Sequence, residues 1–144
     1  MNQQGFTLIE VLLSVAILTL LTGLSLPVYE TFVRRNDLDL TTQSIVASVR
    51  RAESYARGVN GDSTWGIEFL SSGVTLFQGA TYASRNSAFD ETIPLPNSLS
   101  ISGTTEVVFS KLSAAPSTTG SVTLSGTTND TRTITINAKG MVDY

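Results

Sequence analysis

An apolar run near the amino terminus limits what this chain can fold into. Eighteen consecutive residues without a charge, residues 11–28, meet the length threshold for one membrane-spanning helix. Glu10 lies immediately before this run. A carboxylate at the edge of a membrane helix is costly without a partner and is by default a functional residue. That partner need not belong to the same chain.

The flanks of the apolar run differ from those of a cleaved secretory signal. Such a signal has a basic start, a shorter apolar core and a cleavage site made of small residues. Here a short polar leader, residues 1–5, precedes a longer apolar core. We therefore expect the apolar segment to remain in the mature protein.

The sequence Gly-Phe-Thr-Leu-Ile-Glu at residues 5–10 resembles the processing signal of type IV pilins and type II secretion pseudopilins. The resemblance implies that a prepilin peptidase cleaves between Gly5 and Phe6 and methylates the new amino group of Phe6. It also implies that Glu10 pairs with the amino terminus of a neighbouring subunit during filament assembly, which suits an expensive unpaired charge. The alternative is an ordinary membrane anchor with Glu10 among the lipid headgroups.

The leader departs from the pattern of this family, in which Lys or Arg usually holds the amino terminus in the cytoplasm. Residues 1–5 carry only the α-amino group, whereas Arg34 and Arg35 follow the apolar run. The positive-inside rule alone would therefore predict an inverted orientation. Either the true translation start lies upstream of Met1, which we favour, or recognition of the leader overrides the charge bias.

Helical periodicity continues beyond the apolar run. Buried-type residues recur at spacings of three and four, which predicts one face of an amphipathic helix: Leu38, Thr42, Ile45, Val49, Ala52 and Ala56. We predict a single helix over residues 6–57, followed by a stop signal of Gly and Asn residues. Pro27, preceded by Gly23, predicts a kink in this helix. The family resemblance implies instead a hinge between Gly23 and Pro27 that loosens on assembly.

From Thr64 onward the apolar period changes to two, which predicts antiparallel strands separated by turns. The predicted strands are residues 65–69, 74–77, 99–101, 106–109, 122–124, 133–136 and 141–144. Residues 79–98 are predicted to be a surface loop or an irregular edge strand.

The predicted fold class is α+β, with a long amino-terminal helix packed on a small antiparallel β-sheet or sandwich domain, the pilin fold. The predicted organisation is a cleaved leader (1–5), a transmembrane and assembly half of the helix (6–28), an amphipathic half (29–57) and a globular β-domain (58–144).

The composition argues against an enzyme. The chain has no His and no Cys, which removes the usual general base, the thiol nucleophile and the soft metal ligands. Asp90 and Glu91 could help to hold a cation, but no third acidic residue is near them in the sequence, so we expect a solvated loop. We predict no cofactor and no metal site.

Two later stretches narrow the resemblance. Residues 46–57 with 65–69, and the ending 132–142, resemble the H-type minor pseudopilins and the FimT-type minor pilins. This implies a non-enzymatic minor subunit that acts in filament initiation or at the tip. It also implies a single-pass protein of the bacterial inner membrane with its carboxy-terminal domain in the periplasm. The implied partners are the prepilin peptidase, the inner-membrane assembly platform, and the major and other minor pilins or pseudopilins.

The alternatives within this family are a FimT-type pilin that binds DNA for natural transformation and an adhesive minor pilin. Arg50, Arg51 and Arg57 could form a subunit contact or a DNA patch, or they could be a solvated helix face. The net charge is −3, and the carboxy-terminal region offers only Arg132 and Lys139 as cations. Phosphate neutralisation would be weak, so we expect a solvated face and no nucleic-acid partner.

Overall fold

A computed structural model describes residues 5–127 and 129–144, except the side chains of residues 24–28, 30 and 31. Helix α1 (Leu8–Arg57) comes first, and all the β-strands follow it in the chain. The chain divides into two compact units, one ending at Arg34 and the other beginning at Arg35, and α1 contributes to both. The α+β class predicted from the sequence is confirmed.

In the first unit, the described side chains of residues 5–23 are all exposed. The helical backbone continues through Gly23 and Pro27. The Pro27 side chain lies outside the described residues, so the kink and the hinge stay predictions. Among the residues described, no helix combines the length and apolarity needed to span a membrane. Part of the predicted span, residues 24–28, lies outside the described side chains.

The second unit contains two four-stranded antiparallel sheets. The first has the order β3-β2-β1-β5 and the second the order β4-β6-β7-β8. The strands are β1 (Trp65–Leu70), β2 (Gly73–Gln78), β3 (Asn86–Pro94), β4 (Leu99–Gly103), β5 (Glu106–Phe109), β6 (Gly120–Gly126), β7 (Thr131–Ile136) and β8 (Val142–Asp143). Each predicted strand corresponds to one of these, with shifts of a few residues at the ends.

The core of the second unit forms between α1 and the inward faces of both sheets. Every residue of the predicted helical face is buried: Leu38, Thr42, Ile45, Val49, Ala52 and Ala56. The apolar members of this face join one cluster with β1, β6 and β7 side chains such as Ile67, Leu124 and Ile134. Burying one such aliphatic side chain contributes about 1.5–3 kcal/mol. Because the chain has no cysteine, this packing holds the unit together without a disulfide.

The segment that was hardest to predict, residues 79–98, contains a short 3-10 turn (Tyr82–Ser84) and the edge strand β3. The edge-strand alternative is therefore confirmed. Most β3 side chains are exposed, and β3 lies at the edge of its sheet, where it pairs only with β2. Because most side chains of β3 are exposed, its sequence lacks the apolar–polar alternation that identifies the inner strands.

Candidate functional site

The peptide bond predicted to be cleaved lies just outside the helix. Gly5, Phe6 and Thr7 have non-helical backbone, and α1 begins at Leu8. The Phe6 side chain is 82% exposed, and a Cβ built on Gly5 would meet nothing within 4 Å. An irregular, exposed backbone is the form that proteases cut most readily. The geometry therefore leaves the bond between Gly5 and Phe6 accessible.

Thr7 caps the start of the helix. Its Oγ1 accepts a hydrogen bond from the Glu10 backbone N–H at 3.4 Å, and its carbonyl accepts from the Val11 N–H at 3.2 Å. Thr7 and Glu10 occupy the N-cap and N3 positions, and the Thr7 half of a capping box is formed. Sequence reasoning overlooked this cap, although a Thr-x-x-Glu spacing before an apolar run signals it. Cleavage after Gly5 would leave the cap intact.

Glu10 carries a negative charge in the first turn of α1, where the helix macrodipole favours it. Its carboxylate forms no hydrogen bond or ion pair with any residue that the structure describes. The surrounding helix surface is apolar. Each of its large side chains is about half exposed or more: Leu8, Ile9, Val11, Leu12, Leu13, Val15, Ile17, Leu18, Leu20 and Leu21. A contiguous apolar surface of this kind marks contact with lipid or with other proteins.

The structure does not bring the predicted hinge close to the predicted assembly residue. Glu10 and Gly23 are thirteen residues apart on one helix, which corresponds to about 20 Å along its axis. Gly23 is exposed, and a Cβ added there would meet nothing within 4 Å. Steric crowding within the chain therefore does not explain a glycine at this position.

The arginines near the end of α1 interact with other side chains of the second unit, to which this part of the helix belongs. Arg51 pairs with Glu91 of β3, Arg57 pairs with Glu53 at 2.6 Å, and the Arg50 guanidinium lies 5.7 Å from the Tyr144 ring centre. Across the described chain, at least six of the nine lysines and arginines form ion pairs. Their charge is compensated locally, which disfavours a DNA-binding surface.

A pair of carboxylates lies on adjacent strands of the first sheet. Glu68 of β1 is directly opposite Glu106 of β5. The Oε2 atom of Glu68 is buried and has no hydrogen-bond partner among the described residues, whereas Oε2 of Glu106 accepts from the Tyr82 N–H at 3.2 Å. Burial, and then the Glu106 charge, raise the pKa of Glu68 above its ordinary value. This pair depends on β1 lying beside β5, which no local pattern reveals.

The pair does not form a metal site. Within residues 5–127 and 129–144, no group of three or more His, Cys, Asp or Glu side chains is arranged to hold a metal ion. Asp90 and Glu91, considered above as cation ligands, instead pair with Arg85 and Arg51.

Known proteins resemble this chain in its amino-terminal sequence and in its fold. Residues 1–26 match the model of the prokaryotic N-terminal methylation motif. No curated protein sequence matches the chain. The fold is similar to that of the minor pseudopilin EpsH from the Type 2 Secretion System of Vibrio cholerae, with a TM-score of 0.57 and 11% sequence identity. That similarity covers 74% of this chain and 94% of EpsH.

The chain combines an N-terminal methylation motif with a fold similar to that of EpsH. The amino-terminal motif and the fold together confirm the resemblance to type IV pilins and pseudopilins. The matched motif includes Gly5, Phe6 and Glu10, the residues singled out from the sequence.

Proposed function

We propose that this pilin-like chain is a non-enzymatic structural subunit of a filament, either a type II secretion pseudopilus or a type IV pilus. One observation carries the proposal. Glu10 has no partner among the described residues and is surrounded by exposed apolar side chains, directly after a methylation motif. A helix of this kind is stable only when lipid or neighbouring helices cover it, and its carboxylate needs a positive partner.

Processing would supply that partner. Cleavage between Gly5 and Phe6 by the prepilin peptidase would create a new amino group four residues before Glu10, and methylation would leave this amino group able to carry a positive charge. In a bundle of parallel helices, Glu10 of one subunit would accept the amino terminus of the next. Moving both charges into an apolar bundle is tolerable only when they meet, so the pair would set the register between subunits.

We further propose that the protein is a minor pseudopilin that acts in filament initiation or at the tip. The likeness to EpsH in fold and the short, cysteine-free β-domain support this assignment. In this role the protein is anchored by residues 6–28 in the bacterial inner membrane as a single-pass protein, with its carboxy-terminal domain outside the cytoplasm. Its partners are the assembly platform and the other pilins, and Gly23 with Pro27 is the hinge.

The test is assembly in the bacterium that produces the protein. Gly5→Val should block cleavage, so the protein should keep its leader and Phe6 should stay unmethylated in mass spectra of the intact chain. Glu10→Leu should be cleaved and inserted normally, yet it should be lost from sheared filaments or from cross-links to other pilins. Glu10→Asp keeps the carboxylate and is the matched control, for which we expect substantial recovery of assembly.

Two results would contradict the proposal. If Glu10→Leu entered filaments as well as the native chain, pairing of this charge would not drive assembly. If the native protein kept its leader when the prepilin peptidase was present, the methylation motif would not be functional. The gene that encodes the peptidase can be deleted as a control for background cleavage.

A further inference from the structure

A pocket of about 310 Å³ lies where the end of α1 meets the first sheet. Its lining combines aromatic and polar side chains, among them Tyr55, Trp65, Phe89, Gln78, Asp90 and Glu91. Trp65 meets the Tyr55 ring edge to face at 4.7 Å and the Phe89 ring at 6.3 Å. Pockets of this volume are at the lower end of the range that holds small molecules. All of these residues belong to the second unit.

The pocket is bordered by an irregularity in strand pairing. Leu76 of β2 is opposite Glu91 of β3, but Gln78 is opposite Asn86. Between these two pairs β2 has one residue, whereas β3 has four, residues 87–90. The extra residues make β3 bulge away from β2 beside Gln78. Bulges at sheet edges often re-aim side chains next to functional sites.

Gln78 lines this pocket and is nine-tenths buried, with 8% of its surface exposed. Its amide forms no hydrogen bond with any other group that the structure describes. The amide has two donors and one acceptor. Its atoms are not among the buried side-chain atoms that lack a partner, so they remain accessible to solvent. A ligand in the pocket could therefore reach the amide and use both its donors and its acceptor.

Asp90 also lines the pocket. Its Oδ2 accepts from the Arg85 Nε at 2.8 Å, whereas its Oδ1 is buried without a hydrogen-bond partner among the described residues. The charges nearby are balanced, because Asp90 pairs with Arg85 and Glu91 pairs with Arg51. A ligand therefore needs no charge of its own, and it should offer groups that both donate and accept hydrogen bonds.

We propose that this pocket binds a neutral sugar ring. Sugar hydroxyls both donate and accept, so one ring could bond to both the NH2 group and the carbonyl of the Gln78 amide. The C–H faces of the ring would pack against the exposed parts of Phe89 and Tyr55. This binding function is independent of filament assembly, because the pocket and Glu10 lie in different units.

Trp65 provides a reporter for the test, since it is the sole tryptophan of the chain and lines the pocket. The full-length protein, in a zwitterionic detergent without a sugar headgroup, is titrated with glucose, galactose or N-acetylglucosamine while Trp65 fluorescence is recorded. We expect a saturable change with at least one of them. Gln78→Leu should weaken this binding about tenfold or more. It should not lower the melting temperature, because it removes an unmatched amide at similar side-chain size.

Gln43→Leu is the matched control, because it makes the same change at an exposed position of α1 and should bind like the native chain. Phe89→Ala, at a half-exposed position, should also weaken binding without unfolding the protein. The proposal is overturned if no sugar gives a saturable change, or if both Gln78→Leu and Phe89→Ala bind like the native chain. A response to argininamide in place of the sugars would also overturn it, in favour of a cationic ligand.

Discussion

Replacing Glu68 by glutamine should stabilise the protein at neutral pH and should have no such effect in acid. Glu68 and Glu106 are directly opposite each other on β1 and β5, and Oε2 of Glu68 has no partner among the described residues. Two ionised carboxylates in this position repel each other. A glutamine amide could instead donate a hydrogen bond to the Glu106 carboxylate, as a protonated Glu68 would.

The sign of the pH dependence follows from the raised pKa of Glu68, caused first by burial and then by Glu106. The folded state holds this proton more tightly than the unfolded state, in which the pKa is about 4.3. The native chain therefore loses stability as the pH rises from about 4.3 through the folded pKa. The Arg85 charge opposes the shift but does not reverse it. Glutamine cannot ionise, so the variant avoids this loss.

The magnitude can be bounded from the same geometry. Like charges directly opposite each other on paired strands cost about 0.2–1 kcal/mol, and an unmatched buried polar atom costs about 1–3 kcal/mol. Because Glu68 is only partly buried, the lower end of these ranges applies. We expect a gain of about 1 kcal/mol at neutral pH, which corresponds to about 4 °C in melting temperature for a domain of this size.

The assay is thermal unfolding of the full-length protein in detergent, followed by Trp65 fluorescence at about pH 4 and about pH 7. Glu91→Gln is the matched control, because it makes the same chemical change in an exposed ion pair with Arg51 and should shift stability by less than about 0.5 kcal/mol. A gain for Glu68→Gln that is equal at both pH values would refute charge repulsion as its cause. So would a loss of stability at neutral pH.

Two further predictions concern close packing and the helix cap. Gly66→Ala should destabilise the second unit by about 1–3 kcal/mol, because the new Cβ would lie 2.5 Å from Cζ of the fully buried Phe77. An unchanged melting temperature would contradict this packing. Thr7→Ala should remove about 1 kcal/mol of capping, so the Glu10 amide should exchange with deuterium about fivefold faster in detergent, and unchanged exchange would show that Oγ1 does not cap the helix.

Periodicity explains why so much of the fold could be predicted. A helix covered on one side by a core must repeat its buried residues every three or four positions, and the spacing from Leu38 to Ala56 does so. Strands such as β1, with one face in the core, show the alternation Trp65, Ile67 and Phe69. These signals are local, so one sequence was enough to find the elements and assign the class.

The features that could not be predicted depend on which strands are neighbours. Glu68 and Glu106 are far apart in the sequence, and their opposition arises only because β5 pairs with β1. The pocket beside Gln78 exists because β3 changes register between Leu76 and Gln78. Residues 87–90 have no periodicity, since they bulge along an edge. Non-local pairing therefore creates both the unmatched carboxylate and the unmatched amide.

Glu68, Gln78 and Glu10 each have a polar group without a partner among the described residues, and their surroundings predict different consequences. Glu68 faces another carboxylate, so neutralising it should improve stability and leave function unchanged. Gln78 faces a pocket, so removing its amide should preserve stability but weaken binding. Glu10 stands on an exposed apolar helix, so its loss should spare the fold of the second unit and impair assembly. Stability, binding and assembly measurements on the three variants can therefore distinguish charge repulsion within the fold from two contacts that are made with other molecules.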